Sequence, residues 1–231
     1  MKKFIFIFLA TFLITGNSIL FSQECVFYSP VEKGTVLIHS NYDKKDKLTG
    51  TSTQTVIDNY VEEGVQIVKI RNEYKGVDMD SAFVREFEMK CKDGKYYVDM
   101  ESYIGESMMT QYSDMETTVE AENMTIPARL KAGDVLDNGK VTATISNNGM
   151  KIITISVVVS NRKVEAEEEI TTQAGTFECY KISYDISTKM LITIKANTVE
   201  WYAKNIGVVR SESYNKKGKL TGYTVLTGFQ K

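Results

Sequence analysis

The residues able to do chemistry are few and scattered. His39 is the only histidine in the chain. It sits between Leu37 and Asn41 on an extended segment, with no nucleophile motif near it. A lone strand histidine of this kind reads as a surface or hydrogen-bonded structural residue. One histidine also rules out a His-rich metal site and leaves any Ser-His triad resting on His39 alone. No GxSxG, HExxH or phosphate-cradling glycine loop is present. Carboxylates cluster at spacings of two: Asp78 with Asp80, Asp99 with Glu101, and Glu165 with Glu167 and Glu169. On a strand that spacing puts each set on one face, where paired acids could serve glycoside hydrolysis or hold calcium. All three sets lie in or near turns on otherwise polar faces, so a solvated face is the expectation. Met108, Met109 and Met115 could offer thioethers to Cu(I), but their helical spacing already explains them. The chain is therefore expected to be no enzyme and to need no metal or cofactor.

Cys25, Cys91 and Cys179 are separated by 66 and 88 residues, which fits no zinc knuckle or CxxC motif. In an oxidising compartment two of three can pair, in three possible ways. The preferred pairing is Cys25 with Cys91. Cys91 shares its expected inward face with Phe83, Phe87 and Met89, and Cys25 lies in an N-terminal segment with little else to hold it. Closing that loop would stabilise by about 4 kcal/mol. Cys179 lies opposite the apolar face of its strand and is expected to remain a thiol.

The compartment is read from residues 1–22. Lys2 and Lys3 precede an apolar run from Phe4 to Phe21, followed by polar Ser22, Gln23 and Glu24. This layout is that of a cleaved secretory signal, and no later stretch could span a bilayer. Glu24 directly before Cys25 does not fit the small-residue pattern of lipoprotein processing. The protein is expected to be secreted across the inner membrane, periplasmic or extracellular, with a single β-rich domain over 23–231. Loss of Lys2 and Lys3 takes 28 basic residues to 26 against 30 acids, a formal charge of −4. That mixed, mildly acidic balance offers no footprint for nucleic acid.

The elements that must position these residues are mostly strands. Gly64, Gly94, Gly139, Gly149 and Gly218 each close a turn-like cluster, and Val, Ile, Thr and Tyr alternate between them. Ile153, Ile155, Val157 and Val159 share one face, as do Tyr180, Ile182, Tyr184 and Ile186. Period-two patterning of this kind predicts a mainly β fold: a single antiparallel meander of about twelve strands, curved into an open barrel or half-barrel. The exception is 102–115, where Ile104, Met108, Met109, Tyr112 and Met115 form an apolar stripe at steps of three and four. The spacing predicts one short amphipathic helix there, laid over the concave face. A nine-residue echo also stands out: Tyr42 to Gly50 and Tyr214 to Gly222 agree at seven positions. Both read as Lys-rich hairpin tips, either duplicated or shaped by the same turn demands.

Several stretches together resemble the TapB-like family of secreted proteins of unknown function. They are Cys91 with Tyr96 to Met100, Ala174 to Ile182, Glu200 to Ala203, and Gly207 to Glu212 before the final hairpin. The resemblance implies a secreted or envelope location and a β-rich fold. It brings no catalytic residues.

The functional expectation is an envelope binding protein whose concave face holds an apolar or lipid-like small molecule. Ile104, Met108, Met109, Tyr112 and Met115 are the expected ligand contacts, with the helix as lid. The competing expectation is a structural or protein-interaction module whose concave face is filled by its own side chains.

Overall fold

The computed structural model describes residues 25–104, 112 and 114–231. Thirteen strands form one antiparallel sheet. They are β1 (Val36–Asp43), β2 (Leu48–Glu62), β3 (Val65–Gly76), β4 (Phe83–Lys92), β5 (Lys95–Val98), β6 (Glu116–Glu122) and β7 (Met124–Pro127). Then come β8 (Gly139–Asn147), β9 (Met150–Thr172), β10 (Gly175–Lys189), β11 (Thr193–Ala203), β12 (Gly207–Asn215) and β13 (Leu220–Gln230). The spatial order is β6-β8-β9-β10-β11-β12-β13-β1-β2-β3-β4-β5-β7. The two outermost strands, β6 and β7, are consecutive in sequence and joined by Asn123 alone, so the sheet bends round into a nearly closed barrel. The mainly β, strongly curved meander read from the turn spacing is the fold observed.

Alternation sets the inside. Val141, Ala143, Val157 and Val159 on β8 and β9 pack with Ile182 and Tyr184 of β10. Across the barrel, Val56, Val68, Ile70 and Met89 complete the same core. Facing residues in register, such as Val56 with Ile70 and Val141 with Val157, bring like side chains together on the inner surface.

No ladder joins β6 to β7, and the gap is bridged by side chains instead. Arg162 of β9 is almost fully buried and crosses to both sides of this seam. Its Nη1 donates to the carbonyl of Thr125 on β7 at 3.1 Å and to that of Asp137 at 2.7 Å. Thr125 Oγ1 donates in turn to Asp137 Oδ2 at 2.6 Å. At the same seam, a Cβ on Gly139 would collide with Met124 and lie 2.6 Å from Met100 Sδ. Only glycine lets β7 pack this close to the start of β8.

One end of the barrel is stoppered by the N-terminal segment. Cys25 is joined to Cys91 by a disulfide, and Phe27 and Tyr28 are sunk into the core. Tyr28 meets Tyr96, Tyr180 and Tyr202 edge-on at centroid distances of 6.2–6.3 Å, a favoured aromatic geometry. Asn205 N–H donates to the Phe27 carbonyl at 2.8 Å.

The helix expected over 102–115 does not begin where its apolar spacing suggests. Met100–Tyr103 form a single 3-10 turn, with Asp99 accepting the Glu101 N–H, and Ile104 has already returned to extended backbone. Met100 and Ile104 are drawn into the core as two separate anchors, and Gly105 follows at once, which disfavours propagation. Residues 105–111 and 113, including Met108 and Met109, lie outside the described residues.

The sequence echo is also a structural echo. Asp43 Oδ1 accepts the Lys45 and Lys47 N–H groups at 2.7 and 3.0 Å; Asn215 Oδ1 accepts those of Lys217 and Lys219 at 2.9 and 3.1 Å. Thr49 and Thr221 hydroxyls donate to the carbonyls of Asn41 and Ser213. Positive φ falls at the matching positions, Asp46 and Gly218. Shared turn demands account for the tyrosine-to-glycine pattern at these points.

Candidate functional site

The barrel interior is not uniformly apolar. Inward positions on β11 are Thr198, Glu200 and Tyr202; on β12 Thr198 pairs with Ser213 and Glu200 with Ser211. Further round, Gln54 on β2 and Asn72 on β3 face one another, and Ser52 Oγ donates to Asn72 Oδ1 at 2.6 Å. A cavity of about 420 Å³ opens along this polar wall. Its lining mixes polar Gln54, Thr198, Glu200, Ser211 and Ser213 with apolar and aromatic Tyr28, Phe87, Met89, Tyr96 and Ile186.

Glu200 is the chemical centre of the cavity. Tyr202 Oη donates to its Oε2 at 2.6 Å and Ser211 Oγ to its Oε1 at 3.3 Å. Burial raises its pKa, opposed by the hydroxyl hydrogen bonds and by the positive charge of Arg162. The surrounding phenols of Tyr103, Tyr184 and Tyr202 are pushed upward, chiefly by burial and then by the Glu200 charge. They therefore remain neutral hydrogen-bond donors across the physiological range. Asp99, also at the cavity wall, lies 3.8 Å from Arg85, whose guanidinium stacks over Phe87. The set combines an acceptor-rich anionic spot with aromatic faces, an arrangement suited to a donor or cationic group carried on an apolar body.

Of the expected ligand contacts, the described ones, Ile104, Tyr112 and Met115, are not in the cavity lining. Ile104 is buried in the core beside Met100, and Tyr112 and Met115 are half-buried elsewhere. Met108 and Met109 lie outside the described residues. His39 is buried and its Nε2 donates to the Val208 carbonyl at 2.8 Å, so it is a satisfied, neutral core residue whose pKa burial lowers. The acidic pairs have ordinary roles. Asp99 caps the 3-10 turn, and Glu165 accepts from Ser183 at 2.7 Å and Lys163 at 3.1 Å. A register shift opposite Lys181 and Ile182 separates Glu165 from Glu167 and Glu169. Among the described residues no acid, histidine or cysteine cluster could hold a metal ion. Cys179 is a buried free thiol beside Trp201 and Val209, and burial pushes its pKa up to about 12, which leaves it unreactive.

Sequence reasoning missed Glu200, Tyr103, Tyr184, Ser211 and Arg162 as a set. On β11 the apolar alternation Val199-Trp201-Ala203 points outward, to a small cluster with Cys179 and Val209. The hydrophobic pattern there marks the wrong face, and the polar set reads as solvent-exposed. The available signal was Arg162 itself, a charged residue set between the apolar inward positions Val159 and Val164.

No helix among the described residues is long and apolar enough to cross a membrane. Two solved structures share the fold. A "putative exported protein with YmcC-like fold" from Bacteroides fragilis NCTC 9343 is 26% identical, with a TM-score of 0.74 over 90% of this chain and 100% of that one. A "putative lipoprotein" from Parabacteroides distasonis ATCC 8503 is also 26% identical, with a TM-score of 0.75 over the same shares. No curated protein matches this chain. The TapB-like family that the motifs resemble is not the one whose model matches; the match is to a DUF3108-like model. It spans residues 32–226, nearly the whole β domain, and on that match the chain belongs to the DUF3108-like family.

Proposed function

We propose that this protein is an exported envelope protein that binds a small amphipathic molecule inside its barrel. The carrying observation is the cavity of about 420 Å³ whose lining combines Glu200 and other polar groups with aromatic side chains. That volume is within the usual range for small-ligand sites, about 300–1,000 Å³. The polar wall narrows the lipid-like expectation: a wholly apolar ligand would strip water from Glu200, Thr198 and Ser213 without replacing its hydrogen bonds. An amine or hydroxyl head on an apolar body satisfies both kinds of group. Export is supported by the exported relative and by the N-terminal leader pattern.

A second reading, a structural module with no ligand, is favoured by one observation: Phe27 and Tyr28 already fill one end of the barrel. Titration with octylammonium and octanol, read by calorimetry, separates the two. The binding account expects saturable uptake that is lost in Ser213→Trp at unchanged melting temperature. Glu200→Gln should weaken octylammonium about tenfold and leave octanol unaffected. No uptake of either probe, or uptake indifferent to Ser213→Trp, would favour the filled module.

A further inference from the structure

Antiparallel neighbours reverse direction, so alternate connections return at the same end of the barrel. The β1–β2, β3–β4, β8–β9, β10–β11 and β12–β13 connections all lie at the end opposite the Phe27–Tyr28 stopper. Two of them expose apolar tips. Leu191 is 87% exposed and Ile192 72%, with Met190 beside them, and the β8–β9 connection exposes Met150 at 71%. Among the described residues nothing covers these tips. Isolated exposed apolar side chains are common, but a consecutive Met-Leu-Ile at a hairpin tip is not.

The hairpins beside them are basic. Lys44, Lys45 and Lys47 crown β1–β2, and Lys216, Lys217 and Lys219 crown β12–β13. The two crowns adjoin, since Tyr42 stacks on Tyr223 at 5.0 Å and Tyr223 Oη donates to Asp46 at 2.8 Å. Lys216 also shares a groove with Lys195, next to the apolar tip. The turns use backbone N–H groups at 45, 47, 217 and 219, which any residue except proline supplies. They make no use of the ammonium groups. Among the described residues none of these six ammonium groups is in an ion pair. The stoppered end carries Glu62, Glu63, Asp93, Glu167 and Glu169 around its connections, with Lys92, Lys95 and Lys204 among them. The six crown lysines outnumber Asp43, Asp46, Asp78 and Asp80 in the connections of the hairpin end, which leaves it basic within a chain that is net acidic.

We propose that the hairpin end docks on an anionic phospholipid bilayer, with Met190, Leu191 and Ile192 entering the interface and the lysine crowns over the headgroups. Short apolar insertions combined with basic residues bind such surfaces, and each lysine near the surface is worth about fivefold in affinity. A convex tip ringed by unpaired cations suits a flat, diffuse anionic partner. A second copy of the chain would instead set one lysine ring against another. This inference does not depend on the cavity holding a ligand.

Flotation of the exported protein with phosphatidylcholine vesicles, with and without phosphatidylglycerol, provides the test. Leu191→Trp adds a reporter; Trp201, buried and eight residues beyond Thr193 along β11, is the constant background. Expected are flotation only with phosphatidylglycerol, loss in high salt, and a blue-shifted, bromolipid-quenched signal from position 191. Joint Lys216→Glu, Lys217→Glu and Lys219→Glu changes should weaken binding by at least about a hundredfold. Leu191→Asn with Ile192→Asn should abolish flotation of the otherwise wild-type chain, and both variants should keep the wild-type melting temperature. Absence of flotation at low salt overturns the proposal. So does flotation unaffected by either variant, or rim substitutions that alter only self-association or the capture of a protein partner.

Discussion

Replacing Arg162 by methionine tests how the barrel is closed. The substitution keeps much of the side-chain volume but removes both donors that span the seam. The carbonyls of half-buried Thr125 and exposed Asp137 would each lose a hydrogen bond from a buried charged donor, at about 1–3 kcal/mol apiece. The total is roughly 2–6 kcal/mol. Relief of the buried guanidinium's own desolvation takes back part of it, so a net loss of about 3 kcal/mol is expected. For a domain of this size that corresponds to a fall in melting temperature of roughly 6–12 °C. Circular dichroism melts give the global value, and hydrogen exchange should show the largest loss of protection in β7. The control is Arg71→Met, whose partner Glu73 is 3.0 Å away on an exposed wall; surface pairs contribute about 0–1 kcal/mol. If Arg162→Met melted within 2 °C of wild type, with β7 protection intact, the seam would be held by something other than this side chain.

Other outcomes follow from the same interior. Glu200 has a raised pKa in the folded state, so between the unfolded value near 4.5 and the folded one the native protein holds a proton that the unfolded chain releases. Its contribution to stability therefore falls as pH rises through that window; Glu200→Gln should melt higher than wild type at pH 7, with the difference vanishing below pH 4.5. Reduction of Cys25–Cys91, or Cys25→Ala with Cys91→Ala, should cost about 4 kcal/mol in the chain-entropy account of a loop with sequence separation 66. Proteolysis should then cut near Phe27 and Tyr28 before the sheet.

The strand pattern was legible because half-buried sheets write their inward face as a period of two. Ile153 to Val159 and Tyr180 to Ile186 read inward and lie inward. The start of the helix expected over 102–115 is a 3-10 turn for a physical reason. Met100 and Ile104 sit at helical spacing, yet each is an anchor on either side of a 3-10 turn, and two anchors at that spacing do not need a helix between them. The site was hidden by inversion on β11, where Trp201 and Ala203 face a covered outer cluster and leave Glu200 inward. Bulges at Trp201/Tyr202 and Lys181/Ile182 shift the alternation further, and nothing in local composition signals them.

Native mass spectrometry of the exported protein isolated from its producing cells tests the central claim most directly. The account predicts a small, stoichiometric, releasable adduct with an amine or hydroxyl head and an apolar body, absent from Ser213→Trp purified in parallel. A bare polypeptide mass for the wild type, or the same adduct retained by Ser213→Trp, would contradict a ligand site inside the barrel.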